Sequence, residues 1–322
     1  MNLSNGISLY VEKRRATGLA FNSGKSQLVA FSHFIGEIAL EGVNSQQVSA
    51  FLDRPQTSLL TRLYRYYTLV RFFEFWSSRG AIPELSISRP YCPFRETFIP
   101  YIYTRIEIRA ILKAAMQRPN NSNISPQTIR TLILTLYATG ANVGEVLSLN
   151  VSDLDLPHGR IKITSKQVNR NRQIPIGKDL QEVLSKYQRW RVREKYVNSR
   201  LFVGKDDKPL SVYSLRNHWQ RLRRLSGIVR HDSSMHQPRL QDLRCTFAVH
   251  RITSWIRNDA DLNKMLPALA AYLGQVGLGS TERYLHLTPE RFRKQLDKLS
   301  PTPRGKMRWR DDHKLMSFLA SL

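Results

Sequence analysis

Cysteine is nearly absent from this sequence, acidic residues are scarce, and no long apolar run interrupts it. Only Cys92 and Cys245 occur, too few for a disulfide framework or a cysteine zinc site, and a reducing compartment fits. No stretch approaches eighteen uninterrupted apolar residues, which excludes an obvious membrane-spanning helix. The opening Met1-Asn2-Leu3-Ser4-Asn5-Gly6 has no charged segment followed by an apolar run, so no secretory signal is expected. Internal repeats and low-complexity tracts are also lacking. The expectation is a cytoplasmic chain, neither secreted nor inserted in a membrane.

The shortage of acid is the most informative of these. Lys and Arg number 50 against 25 Asp and Glu, for a net charge of +25 over 322 residues. Such a surface attracts polyanions at neutral pH. Charge alone does not separate DNA from RNA or lipid headgroups, and a ribosome-associated or membrane-surface protein stays open at this point. With 41% hydrophobic residues there is apolar material for two ordinary folded domains.

From Ile7 to Gly80 the apolar spacing is helical, in Leu28, Phe31, Phe34, Ile35 and Ile38 and again in Leu59, Leu63, Tyr66, Tyr67, Val70 and Phe73. Pro55-Gln56-Thr57-Ser58 introduces the later helix and Gly80 stops it. Its outer face carries Arg62, Arg65 and Arg71, which either solvate the helix or form a row that tracks a nucleic-acid backbone. Pro83, Pro90, Pro93 and Pro100 then break any helix and predict a linker. Thr104-Arg105-Ile106-Glu107 has the form of a capped helix start, and Pro126 to Ala138 of a second, strongly apolar helix.

Strand alternation is convincing only in Arg160–Thr164 and Arg172–Ile176, around a basic, Asn-rich turn. Helical patterns resume over Leu180–Val197, Ser211–Leu225, Leu240–Trp255 and Leu262–Leu273. The expected fold is therefore mainly α with a small antiparallel β-sheet. Boundaries are expected at 1–82 for a helical N-terminal domain, 83–103 for the linker and 104–299 for a larger domain. Residues 300–322 read as a Pro-, Gly- and Lys/Arg-rich linker leading to a short amphipathic stretch through Leu315, Phe318, Leu319 and Leu322. A helix that short is marginal alone; it packs back on its own domain or docks on a neighbouring subunit.

Three local sequences carry the chemistry. They are Tyr137-Ala138-Thr139-Gly140-Ala141-Asn142-Val143-Gly144-Glu145-Val146-Leu147, then Leu240-Gln241-Asp242-Leu243-Arg244-Cys245-Thr246-Phe247-Ala248, then Leu273-Gly274-Gln275 followed by Ser280-Thr281-Glu282-Arg283-Tyr284. In this order and register the three boxes resemble the catalytic domain of the tyrosine recombinases, the family of phage integrases and Xer-type resolvases. The N-terminal half resembles that family's core-binding, SAM-like domain. The stretch from Leu266 to Glu290 looks most like recombinases carried in tandem by transposons, including recombinase-in-trio elements.

The resemblance implies cleavage of double-stranded DNA by a tyrosine oxygen, through a 3′-phosphotyrosyl bond, with no metal and no cofactor. It also implies a C-shaped clamp around DNA and a tetramer on two sites, of one chain or of related recombinases, with C-terminal helices exchanged, in the nucleoid. Tyr284 falls at the nucleophile's position, Arg244 at the second arginine and Lys166, on the turn between the strands, at the general acid. The reaction needs a phenol as nucleophile, forked cations for the charge on a pentacoordinate phosphate, and a proton for the leaving oxygen.

Three family positions are substituted. Asn142 stands where the first arginine is expected, Gln241 replaces the histidine of the His-x-x-Arg box, and Gln275 replaces the histidine or tryptophan after Leu273-Gly274. Amides hydrogen-bond a phosphate but neither carry charge nor shuttle a proton near pH 7. The expectation is thus a site-specific DNA-binding protein of integration or transposition with a degenerate active site, or else an inactive architectural or regulatory subunit. His236, His250 and His286 are read as structural or surface residues rather than replacements. Arg170, Arg172, Arg221, Arg223 and Arg224 join Arg62, Arg65 and Arg71 as DNA-facing candidates, within wider basic segments that include Arg189, Arg191, Arg193, Lys195, Arg216 and Arg230.

Overall fold

The computed structural model describes residues 1–18, 21–54, 57–91, 98–117, 122–165, 170–231, 236–275 and 279–288. Lys166 and the 300–322 segment lie outside them. The described residues form two compact units, which part between Phe98 and Ile99 within the proline-rich stretch. None of their helices is long and apolar enough to cross a membrane.

The first unit is all helical: α1 (Leu3–Ala16), α2 (Asn22–Ile35), α3 (Ser45–Leu52) and α4 (Leu59–Ser77). Side chains that compete for backbone N–H groups start three of them. Asn2 accepts from Ser4 N–H, Asn44 and Gln47 form a reciprocal capping box, and Ser58 accepts from Thr61 N–H. The core is aromatic, with Phe31 meeting Phe51 edge to face at 5.2 Å and Tyr10 meeting Phe72 at 5.4 Å. On α4 the buried row is Leu69, Phe72, Phe73 and Trp76, which shares only Phe73 with the row that the spacing predicts and lies on a face rotated from it. Tyr67 and Phe34 are instead about two-fifths exposed, and Phe34 lies under the Arg54 guanidinium at 5.2 Å.

The second unit is mainly α around one small sheet. Its elements are α5 (Arg105–Met116), α6 (Pro126–Thr139), α7 (Val143–Leu147), β1 (Leu154–Asp155), β2 (Arg160–Ser165), β3 (Arg170–Pro175), α8 (Lys178–Arg193), α9 (Val212–Leu225), α10 (Asp242–Arg257), α11 (Leu262–Leu273) and α12 (Gly279–His286). The antiparallel sheet runs in the order β1-β2-β3. Thr104 and Glu107 make the expected capping box, and Ser125 with Pro126 starts α6. Helix α10 packs against α6, α11 and α12 and so joins the distant α6 to the two helices that follow it in sequence.

Two of the boundaries that differ from the sequence reading do so for local reasons. Helix α8 ends at Arg193 rather than Val197, because Lys195 takes a left-handed φ of 60° and Arg191 turns inward to donate to the carbonyls of Leu201 and Asn198. Helix α10 begins at Asp242 rather than Leu240, since Gln241 occupies the N-cap. Strand β1, two residues long, has no alternation to announce it.

Phe31 is fully buried, so Phe31→Ala is expected to destabilise the first unit by about 3–5 kcal/mol. Urea unfolding of the variant beside the parent checks this; a loss below about 1 kcal/mol would contradict the packing described.

Candidate active site

The site grows from the end of α10. Asp242 is buried, and Arg239 holds it through a backbone N–H at 2.9 Å and a guanidinium contact at 3.0 Å. This fixes the first turn and sets Arg244 just inside it. The Arg244 fork donates to the Gly140 carbonyl at 2.8 Å and to the Leu273 carbonyl at 2.8 Å. Those oxygens belong to the C-terminal ends of α6 and α11, where carbonyls have no intrahelical donors and the helix dipole is negative. Both helices end on left-handed glycines, Gly140 with φ 59° and Gly274 with φ 69°. One cation thereby completes two helices, using two of its five N–H groups.

The box Asn142-Val143-Gly144-Glu145 starts α7. Asn142 N–H donates to Glu145 Oε2 at 2.9 Å, while the Asn142 side chain is exposed. The same carboxylate receives a bidentate pair from Arg172 on β3, at 2.8 and 2.9 Å. The third nitrogen of Arg172, Nε, donates to the Tyr272 carbonyl at 3.0 Å. Burial works to raise the Glu145 pKa, yet the Arg172 hydrogen bonds, the Asn142 N–H and the charges of Arg172 and Arg244 outweigh it and hold the carboxyl below its ordinary value. The site therefore contains a guanidinium that residue 142 does not supply.

Tyr284, on α12, is fully buried among Phe247, Ala248 and Leu273. Gln275 Nε2 donates to its hydroxyl at 3.1 Å, and Thr281 Oγ1 donates to Gln275 Oε1 at 2.6 Å. The guanidinium of Arg283 sits 5.3 Å from the centre of the tyrosine ring. Gln241 is exposed and opens instead onto a cleft of about 490 Å³ lined by Arg216, Arg223, Arg224 and Arg239.

Arg244, Gln275 and Tyr284 are thus linked through one short turn, Tyr272–Gln275, and Asn142 joins them through Glu145. Gln241 borders the neighbouring basic cleft, and Lys166 lies outside the described residues. Of the histidines, His250 shares a 2.9 Å hydrogen bond with Tyr137. Burial, helped by Arg105 and Arg257, holds its pKa below the ordinary value. His236 and His286 are exposed.

The arginine candidates divide. Arg62 pairs with Asp53, and Arg65 donates to Gln27 and Thr57 over the face of Phe51; both hold the first unit together, so the α4 row is partly structural. Arg71, Arg216, Arg221 and Arg224 are exposed, whereas Arg223 donates to the Ile228 carbonyl and to Gln237. Arg191 and Arg230 are buried. Arg172 is not on an open hairpin face as expected but is turned inward onto Glu145. Strand parity carried a signal for this, because Arg172 is two residues from the buried Ile174 and so shares its face. Arg170 begins the same strand.

The chain matches the phage integrase family over residues 103–291. It is 26% identical over 315 residues to the inferred integrase/recombinase y4rB of Sinorhizobium fredii, covering 95% of this chain and 97% of that one. It is 30% identical over 249 residues to the tyrosine recombinase XerD of Halalkalibacterium halodurans, covering 74% and 75%. Its fold resembles that of a lambda integrase dimer bound to a COC′ core site, with TM-score 0.63, 17% identity and coverage of 88% and 95%. It likewise resembles the Tn1549 transposon integrase in complex with a circular intermediate DNA, with TM-score 0.64, 14% identity and coverage of 93% and 100%.

A Cβ at Gly140 would lie 2.4 Å from the Phe247 ring, whereas one at Gly144 meets nothing within 4 Å. Gly140→Ala is therefore expected to cost about 1–3 kcal/mol, and Gly144→Ala to be neutral or stabilising by up to about 1 kcal/mol. Chemical denaturation of both variants checks the contrast; equal effects would contradict the Gly140 geometry.

Proposed function

The chain belongs to the phage integrase family of tyrosine recombinases, and from that membership we propose that it binds specific sites on double-stranded DNA and takes part in integration or transposition with a weakened cleavage centre. The observation that carries this reading is the cluster of Tyr284, Gln275 and Arg244 around one turn, next to a cleft lined by arginines. The domain boundaries follow the same reading: a core-binding domain through residue 82, a linker to 103, and a catalytic-type domain to 299. Residues 300–322 then serve subunit docking, in a tetramer on two sites.

In the proposed reaction the Tyr284 oxygen attacks a backbone phosphorus. A phosphotyrosyl bond forms at the 3′ side, the bond to the 5′ oxygen breaks, and that oxygen leaves as a hydroxyl with a proton from Lys166. Arg244 keeps three N–H groups for the phosphate oxygens. Gln275 donates to the phenolic oxygen and stabilises it as negative charge develops, but an amide takes no proton near neutral pH, so the phenol's proton passes to water or to the phosphate. Because Tyr284 is fully buried, α12 must shift before a phosphodiester reaches it.

The substitutions set the expected rate. Losing one charge-stabilising donor costs about 2.7–4 kcal/mol of barrier, and losing a general acid–base costs roughly 10²–10⁴ in rate; within one site these losses do not add. The exposed Asn142 and Gln241 favour a second reading on the same fold, an architectural or regulatory DNA-binding subunit that works beside a related, active recombinase.

Selection of tight-binding duplexes from a random pool tests the reading. Recovered sites should share a sequence, and affinity should fall steeply with salt as Arg and Lys release condensed counterions. Tyr284→Phe should bind them within about threefold of the parent, since the hydroxyl it loses is buried. No enrichment, or a flat salt response, would contradict site-specific binding.

A further inference from the structure

Four consecutive residues hold the candidate centre together, and Arg172 touches two of them. The Tyr272 carbonyl accepts from Arg172, the Leu273 carbonyl accepts from Arg244, Gly274 lies against the Arg172 guanidinium, and Gln275 reaches Tyr284. A Cβ at Gly274 would stand 2.7 Å from an Arg172 nitrogen, so a side chain there would both strain the left-handed backbone and push the guanidinium aside. The same guanidinium engages both oxygens of Glu145. A lysine ammonium has no planar fork with which to repeat this three-way hold.

The charge balance gives the arrangement a consequence for the reaction. Glu145 is 9% exposed and close enough to Arg244 for that arginine to lower its pKa. An uncompensated carboxylate there would repel a phosphate and draw on the charge of Arg244. Asn142 offers the carboxylate only a neutral N–H. The cations that face Glu145 among the described residues are Arg172 from β3 and Arg244 from α10.

We propose that Arg172 is a positioning residue for phosphodiester recognition: it cancels the Glu145 charge, which leaves the charge of Arg244 to the phosphate, and it clamps the turn that presents Gln275 to Tyr284. This rests on the DNA-binding reading above. It makes β3 part of the site, in a chain whose first family arginine is missing.

Four variants of the full chain test it: Arg172→Gln, Arg172→Lys, Glu145→Gln and the double variant Arg172→Gln/Glu145→Gln. The first readout needs no DNA. In the parent, the depressed Glu145 pKa contributes stability that is present above the unfolded carboxyl value and is lost as pH falls through the folded value. Without Arg172, burial pushes that pKa up, so Arg172→Gln should lose melting temperature relative to the parent as pH rises from about 4 to 7, and the double variant should not.

The second readout is affinity for a mixed-sequence DNA duplex. Arg172→Gln should weaken it on the order of tenfold or more near pH 7 and recover toward acid, the double variant should return to within about threefold of the parent, and Arg172→Lys should rescue only in part. A double variant as weak as Arg172→Gln, or an Arg172→Gln stability profile parallel to the parent's, would overturn the proposal. If the parent binds no duplex, the functional reading fails by itself, and the stability profiles still decide whether Arg172 cancels Glu145.

Discussion

The last carbonyls of an α-helix have no donors within it and carry the negative end of its dipole, so a cation with several N–H groups suits a place where two such ends meet. Here that group is Arg244, which donates to the ends of α6 and α11 together. The rest of the centre depends on this contact. It sets the distance between the box after α6 and the turn after α11, and that turn carries Gln275 to Tyr284. The glycines at the two ends permit the left-handed exits, and Phe247 packs where a side chain on Gly140 would otherwise stand. The residue proposed as a phosphate ligand is thus a structural tie as well, which would tie the integrity of the fold to the chemistry of the site.

Much of this was legible in the sequence, for identifiable reasons. The capping box at Thr104 and Glu107, the Ser125-Pro126 start of α6 and the bounds of α11 are local signals, and local hydrogen bonding decides them. The register of Arg244 with Tyr284 was legible because three short boxes recur in order. The ion pair between Arg172 and Glu145 was not read, since it joins β3 to α7 across 27 residues and a basic hairpin invites a solvent-facing interpretation. Likewise Arg62 and Arg65 belong to an apparently exposed row, yet Asp53, Gln27 and Phe51 come from other helices to meet them.

The substituted positions differ in what they leave behind. At 275 the amide donates to the Tyr284 phenol, so the proposed nucleophile stays oriented, although an amide does not transfer protons near neutral pH. At 142 the side chain is an exposed amide, while the carboxylate three residues on keeps its place through Arg172. At 241 an exposed amide borders a cleft of arginines, where it can still donate to a phosphate oxygen. On the proposed reading, the centre holds an anion and points a tyrosine at it, but is poorly supplied with groups that move protons.

That balance has one direct measurement. Duplexes nicked close to the cleavage position trap a covalent intermediate, because the short strand beyond the nick is released and cannot rejoin. The protein is incubated with such duplexes, made from sequences it binds tightly, and resolved on a denaturing gel. The account predicts a covalent protein–DNA adduct that accumulates slowly and is absent for Tyr284→Phe. No adduct despite full occupancy, with an active relative forming one on its own nicked site, would contradict a surviving cleavage centre and leave the chain as a DNA-binding subunit.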